Sequence, residues 1–146
     1  MNNGPILLVE DNPDDVALTV RALHRNNIHN EIVVAADGQE ALDVLLPKDG
    51  SGGLRPALTL LDINLPKVSG LDVLRTIRDD PATASIPVVV LTTSDEERDI
   101  VDSYRFGANS FVRKPVVFGE FMEAARVLGV YWLLVNRPPP DGPGAA

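Results

Sequence analysis

Glu10-Asp11, Asp62, Thr92 and Lys114 have side chains whose chemistries complement one another. Each lies at the end of an apolar run of strand length: 5–9, 58–61, 86–91 and 108–113. Grouped carboxylates raise one another's pKa unless a cation neutralises them. Mg²⁺ suits such a group, with Mn²⁺ as the alternative: it is hard, octahedral, takes a few carboxylates, keeps waters and bridges to phosphate. An aspartate can be the nucleophile that forms an aspartyl phosphate. The phosphoryl oxygens would then be met by the cation, the Thr92 hydroxyl and the Lys114 ammonium, so the chemistry indicated is phosphoryl transfer. Taken singly, each residue has a plainer reading. Asp62 reads as a solvated turn residue, Asp11 as a helix cap, Thr92 as a strand end and Lys114 as a surface charge. Their meaning depends on whether the fold brings them together.

Five strand-like runs alternate with five amphipathic stretches. Leu58-Thr59-Leu60-Leu61 reads as a strand buried on both faces, because helices cover both sides of a parallel sheet. Asn12-Pro13-Asp14-Asp15 opens a helix, with the acids facing the positive end of its dipole, and Asn26-Asn27 stops it. Ser94 with Glu97 reads as a capping box for the fourth helix, which Phe106-Gly107 ends. The last helix is expected from about Val117. Lys48 to Pro56 is a loop by composition; its glycines lack the Gly-Lys-Ser/Thr of a Walker loop, so it reads as a flexible surface connection. Such alternation predicts a doubly wound α/β fold, with helices on both faces of a five-stranded parallel sheet of order 2-1-3-4-5. All strand C-termini then share one edge, with strands 1 and 3 adjacent, so Glu10, Asp11 and Asp62 converge at its centre.

The chain has 146 residues, 45% hydrophobic and 23% charged, ordinary values for one globular domain. Its formal net charge of −8 argues against a sequence-independent grip on nucleic acid. No cysteine is present, which excludes disulfides, thiolate metal sites and cysteine nucleophiles. His24 and His29 read as surface residues of one helix-to-strand connection. No signal peptide is visible, and the longest apolar stretch, Val127 to Val135, is about half a membrane span, so a cytoplasmic protein is expected. Residues 1–136 are read as one domain and the Pro/Gly-rich 137–146 as a disordered tail.

From about residue 5 to 134 the chain resembles the receiver domain of two-component response regulators, which have a flavodoxin-like fold. The motifs are Glu10-Asp11, Asp62-Ile63-Asn64-Leu65-Pro66 with Gly70, Thr92, and Lys114-Pro115. The resemblance implies a phosphorelay protein that takes a phosphoryl group from a histidine kinase on Asp62. Such a protein assists only its own phosphorylation and dephosphorylation. It further implies metal binding by the backbone carbonyl of Asn64, a cis Lys114-Pro115 peptide, and a switch pairing Thr92 with Phe111. Phe111 stands where the family commonly has tyrosine, so the switch is expected to act by packing alone. A haloacid-dehalogenase-like phosphatase is the rival reading. It needs a second acid two residues after the nucleophile, and Asn64 cannot supply that proton. A pseudo-receiver acting only as a binding module would need a broken acidic site, and this one is whole.

Asp-x-Asn-Leu-Pro with the glycine loop and an aromatic-rich C-terminal helix is similar to regulators paired with bacterial phytochromes. That implies a light-sensing histidine kinase, or a phosphatase acting on the same aspartyl phosphate, as partner. No effector domain is expected after the last helix, hence no appended DNA-binding module. Val127–Val135 is apolar on nearly every face, which suggests a homodimer through the C-terminal helix. Tyr131, Trp132 and Leu134 are its expected anchors, with Tyr104 and Phe106 on the neighbouring face around helix four and strand five.

Overall fold

Alternation within the strands decides which helix covers which face. The computed structural model describes residues 3–115 and 117–137. Strands β1 (Ile6–Val9), β2 (Ile32–Ala35), β3 (Leu58–Leu61), β4 (Val88–Thr92) and β5 (Ser110–Arg113) form one parallel sheet of order β2-β1-β3-β4-β5. This is the expected order. Successive strand residues point to opposite faces. Ile6, Leu8, Leu58, Leu60, Val89 and Leu91 accordingly pack on one side, and Leu7, Val9, Leu61, Val88 and Val90 on the other. Helices α1 (Pro13–Arg25) and α5 (Phe118–Gly129) cover the first side through Leu23, Phe121 and Leu128. Helices α2 (Gly38–Leu45) and α3 (Gly70–Asp79) cover the second through Leu45, Leu74 and Ile77, and α4 (Glu97–Arg105) packs beside α3 and β5.

Three helix starts follow local chemistry. The Asn12 side chain accepts from the N–H groups of Asp14 and Asp15, with Pro13 opening α1, and Asp37 and Ser69 cap α2 and α3 in the same way. The expected Ser94–Glu97 box does not form. Helix α4 begins at Glu97, so Glu96 is its cap residue, and it makes no side-chain cap bond. A capping box needs its acid three residues after the cap. Asp99 holds that place, and the Ser94 hydroxyl donates to it at 2.5 Å while accepting from Glu96 N–H at 3.3 Å.

The 48–56 connection is an exposed surface segment over 48–52 and is tied back at Gly53 and Leu54. Leu54 N–H donates to the Val44 carbonyl at 3.0 Å, and a Cβ on Gly53 would lie 1.9 Å from the Leu45 carbonyl oxygen. Only glycine permits that approach.

The C-terminal helix also departs from expectation. After Gly129 the backbone changes to a π-helical turn, Val130–Val135. Trp132 and Leu133 turn into the core beside Phe121 and Leu128, while Tyr131 and Leu134 face outward. Trp132, expected as a dimer anchor, is only 8% exposed because its own sheet and helices cover it. Apart from Arg137, the expected tail lies outside the described residues.

Candidate functional site

The ladder runs one residue past several strands and sets the site's backbone. Asp62 N–H donates to the Val9 carbonyl at 3.1 Å, Glu10 N–H to Ala35 at 3.0 Å, and Lys114 N–H to Thr92 at 2.7 Å. With Val9 paired to Leu61, Glu10 and Asp62 emerge side by side at the C-terminal edge of the sheet. Gly70 closes α3 against this backbone: a Cβ there would lie 2.2 Å from the Asp62 carbonyl oxygen. Lys67, at φ 66°, pairs with Asp37 at 3.4 Å and ties the loop after Asp62 to the start of α2.

The side chains converge as the spacing required. Thr92 hydroxyl donates to Asp62 Oδ1 at 2.9 Å, and that oxygen also accepts from Asn64 N–H at 3.0 Å. The Lys114 ammonium donates to Asp62 Oδ2 at 3.2 Å, to Asp15 Oδ2 at 3.0 Å and to Glu10 Oε1. Glu10, Asp62, Thr92 and Lys114 are all buried, whereas Asp11 is exposed. Burial pushes the Glu10 carboxyl up, and the bond from Lys114 pulls it back toward its usual value. Burial alone would lower the Lys114 pKa. The surrounding carboxylates of Glu10, Asp15 and Asp62 outweigh it and hold the ammonium firmly protonated.

Glu10, Asp11 and Asp62 each offer a carboxylate oxygen, and these oxygens lie within 4.8 Å of one another. An all-oxygen donor set of this size fits Mg²⁺ or Mn²⁺, which keep waters in their remaining positions.

The response regulator receiver domain model matches residues 6–126. The chain belongs to the response regulator receiver family. Phosphorylation on an aspartate characterises these signalling proteins. This receiver is 40% identical over 134 residues to the probable methanogenesis regulatory protein FilR2 of Methanothrix harundinacea, covering 92% of this chain and 86% of that one. It is 36% identical to the response regulator Rcp1 of Synechocystis, covering 88% of both. The Mn²⁺-bound form of Rcp1 superposes with a TM-score of 0.82 over 93% of this chain and 99% of that one. The bacteriophytochrome response regulator AtBRR is 49% identical, with a TM-score of 0.70 over 94% of this chain and 100% of that one.

One expectation for the receiver needs correction. The Lys114–Pro115 bond is trans, the isomer that proline intrinsically prefers by about 0.5–1 kcal/mol, and no cis bond occurs among the described residues. Beside the Phe111 ring, Tyr104 Oη on α4 accepts from the Phe111 backbone N–H at 3.2 Å. Phe111 itself is half-buried against the core beneath α3 and α4. Of the remaining expected dimer residues, Tyr104, Tyr131 and Leu134 are exposed. Phe106 is half-buried and covered by the Arg75 and Arg105 guanidinium groups, 5.0 and 5.9 Å from its ring centroid. Phe106 and Trp132 pack on opposite sides of the sheet.

Asp15 went unrecognised as a site residue. An acid in the first turn of a helix reads as a complement to its dipole. Only the return of β5, almost a hundred residues later, shows that Asp15 meets Lys114.

Proposed function

We propose that Asp62 accepts a phosphoryl group from the phosphohistidine of a histidine kinase. An Asp62 carboxylate oxygen donates a lone pair to phosphorus as the phosphorus–nitrogen bond breaks. That bond's electron pair stays on the imidazole nitrogen, which takes up a proton from solvent. Mg²⁺ or Mn²⁺, held by Glu10, Asp11, Asp62 and the Asn64 carbonyl, would neutralise charge on the transferred oxygens.

The carrying observation is the divided Asp62 carboxylate, with Thr92 on Oδ1 and Lys114 on Oδ2. After transfer, the Thr92 hydroxyl and the Lys114 ammonium redirect to two phosphoryl oxygens. Asn64 offers no proton to a leaving group, so the product is held as a signal rather than turned over. The inward pull on Thr92 opens space for the Phe111 ring and changes the α4–β5 face, where Tyr104 grips the same residue's N–H.

The partner is a histidine kinase of the bacteriophytochrome type. The similarity to the bacteriophytochrome response regulator AtBRR supports that choice over other kinases. Residues 1–136 act as one cytoplasmic receiver domain. Exposed Val127, Val130, Tyr131 and Leu134 form a homodimer surface.

A small-molecule phosphodonor with Mg²⁺ should add one phosphoryl mass to the intact protein, and Asp62→Asn should abolish the addition. Equal modification of the Asn variant would remove Asp62 from this role.

A further inference from the structure

An ammonium group has three N–H donors and no acceptor. Lys114 has three carboxylate partners for them: Glu10, Asp62 and Asp15. Glu10 and Asp62 also belong to the set able to hold a divalent cation, whereas Asp15 does not. Ammonium and cation therefore draw on the same two carboxylates, Glu10 and Asp62. Lys114 is 7% exposed, so water cannot easily replace the partners it loses. A buried charge without a partner is strongly unfavourable.

We propose that Asp15 is a positioning residue: it gives the Lys114 ammonium a seat outside the cation's carboxylates, so that Glu10 and Asp62 can take up the metal while Lys114 stays beside Asp62. The proposal rests on reading Glu10, Asp11 and Asp62 as the metal site. Asp15 is fixed for this work. Its N–H donates to Asn12 Oδ1 at 3.2 Å, and its carbonyl accepts from the Thr19 hydroxyl at 2.8 Å. Its side chain is one-third exposed, so solvent supports the charge while Oδ2 faces the lysine. An acid serving only the helix dipole would affect metal binding equally with and without Lys114.

The test is Mn²⁺ binding to the unphosphorylated full chain, read from the paramagnetic resonance of the aquo ion remaining free. Four proteins are compared: the parent, Asp15→Asn, Lys114→Met and the double variant. Lys114→Gln replaces the Met variant if circular dichroism shows the latter unfolded. Asp15→Asn should weaken Mn²⁺ binding about fivefold in the parent and less than about twofold when Lys114 is absent, a coupling in the range of contacting residues. An equal loss in both backgrounds would make Asp15 merely one more negative charge and overturn the proposal. No loss in the parent background would overturn it too. Failure of the metal-site reading shows separately: the parent would bind no Mn²⁺, and Asp11→Asn would change nothing.

Discussion

Thr92 is fully buried, yet its hydroxyl donates to a carboxylate that is itself proposed to change partners. An O–H in that position contributes chiefly when negative charge builds up on a transferring oxygen, and a fixed donor of this kind is worth about 10²-fold in rate. Thr92→Ala should therefore slow phosphorylation by a small-molecule donor by about 10²-fold, measured by intact mass against time. Mn²⁺ binding should change little, because Thr92 is not among the grouped carboxylates. Loss of metal binding with unchanged phosphorylation would reverse that assignment. At this scale much was readable beforehand. Glu10, Asp62, Thr92 and Lys114 each end an apolar run, and such runs in a parallel sheet share one edge. Asp15 was not readable, because its partner is supplied by tertiary return of the chain. The Tyr104 contact escaped for the same reason, since it lies on α4 and grips a backbone group rather than a side chain.

Among the elements, the join between α3, β4 and β5 depends on Arg78. Its guanidinium donates to the carbonyls of Ala84, Ile86 and Gly107 at 2.7–3.0 Å and to Asn109 Oδ1 at 3.0 Å. Burial lowers its pKa. The bonded oxygens belong to the loops that lead into β4 and β5, so Arg78 ties together the N-terminal ends of the strands that deliver Thr92 and Lys114. Arg78→Met keeps the aliphatic stem but removes the donor to the three carbonyls, while Asn109 Oδ1 keeps the Val88 N–H, and should cost about 2–3 kcal/mol in urea unfolding. A change below about 0.5 kcal/mol would show that water satisfies them equally well. Strand order followed from apolar runs and helix alternation, because both are local patterns repeated along the chain. The π-helical turn at Val130 was invisible, since its change of hydrogen-bond register is set by how Trp132 and Leu133 meet the sheet. The start of α4 was misplaced because the Ser94 hydroxyl, expected to cap with Glu97, instead bonds Asp99, and the helix begins at Glu97 with no side-chain cap bond.

For the whole molecule, two faces have distinct consequences. Burial of Trp132 within its own core shifts the proposed homodimer surface to the outward residues of the last turns, Val127, Val130, Tyr131 and Leu134. Leu134→Asp should convert the dimer to a monomer in sedimentation at micromolar concentration, whereas an unchanged dimer would remove this surface from consideration. The other face is the sheet edge, where four strands and the first turn of α1 deliver one site. Its central claim is that the acceptor is Asp62 and no other group. Borohydride reduces an aspartyl phosphate to homoserine, so phosphorylation, reduction and peptide mass mapping locate the modified residue directly. The account predicts homoserine at position 62 and at no other acid; homoserine at another position, or a borohydride-resistant phosphate on Thr92, would contradict it.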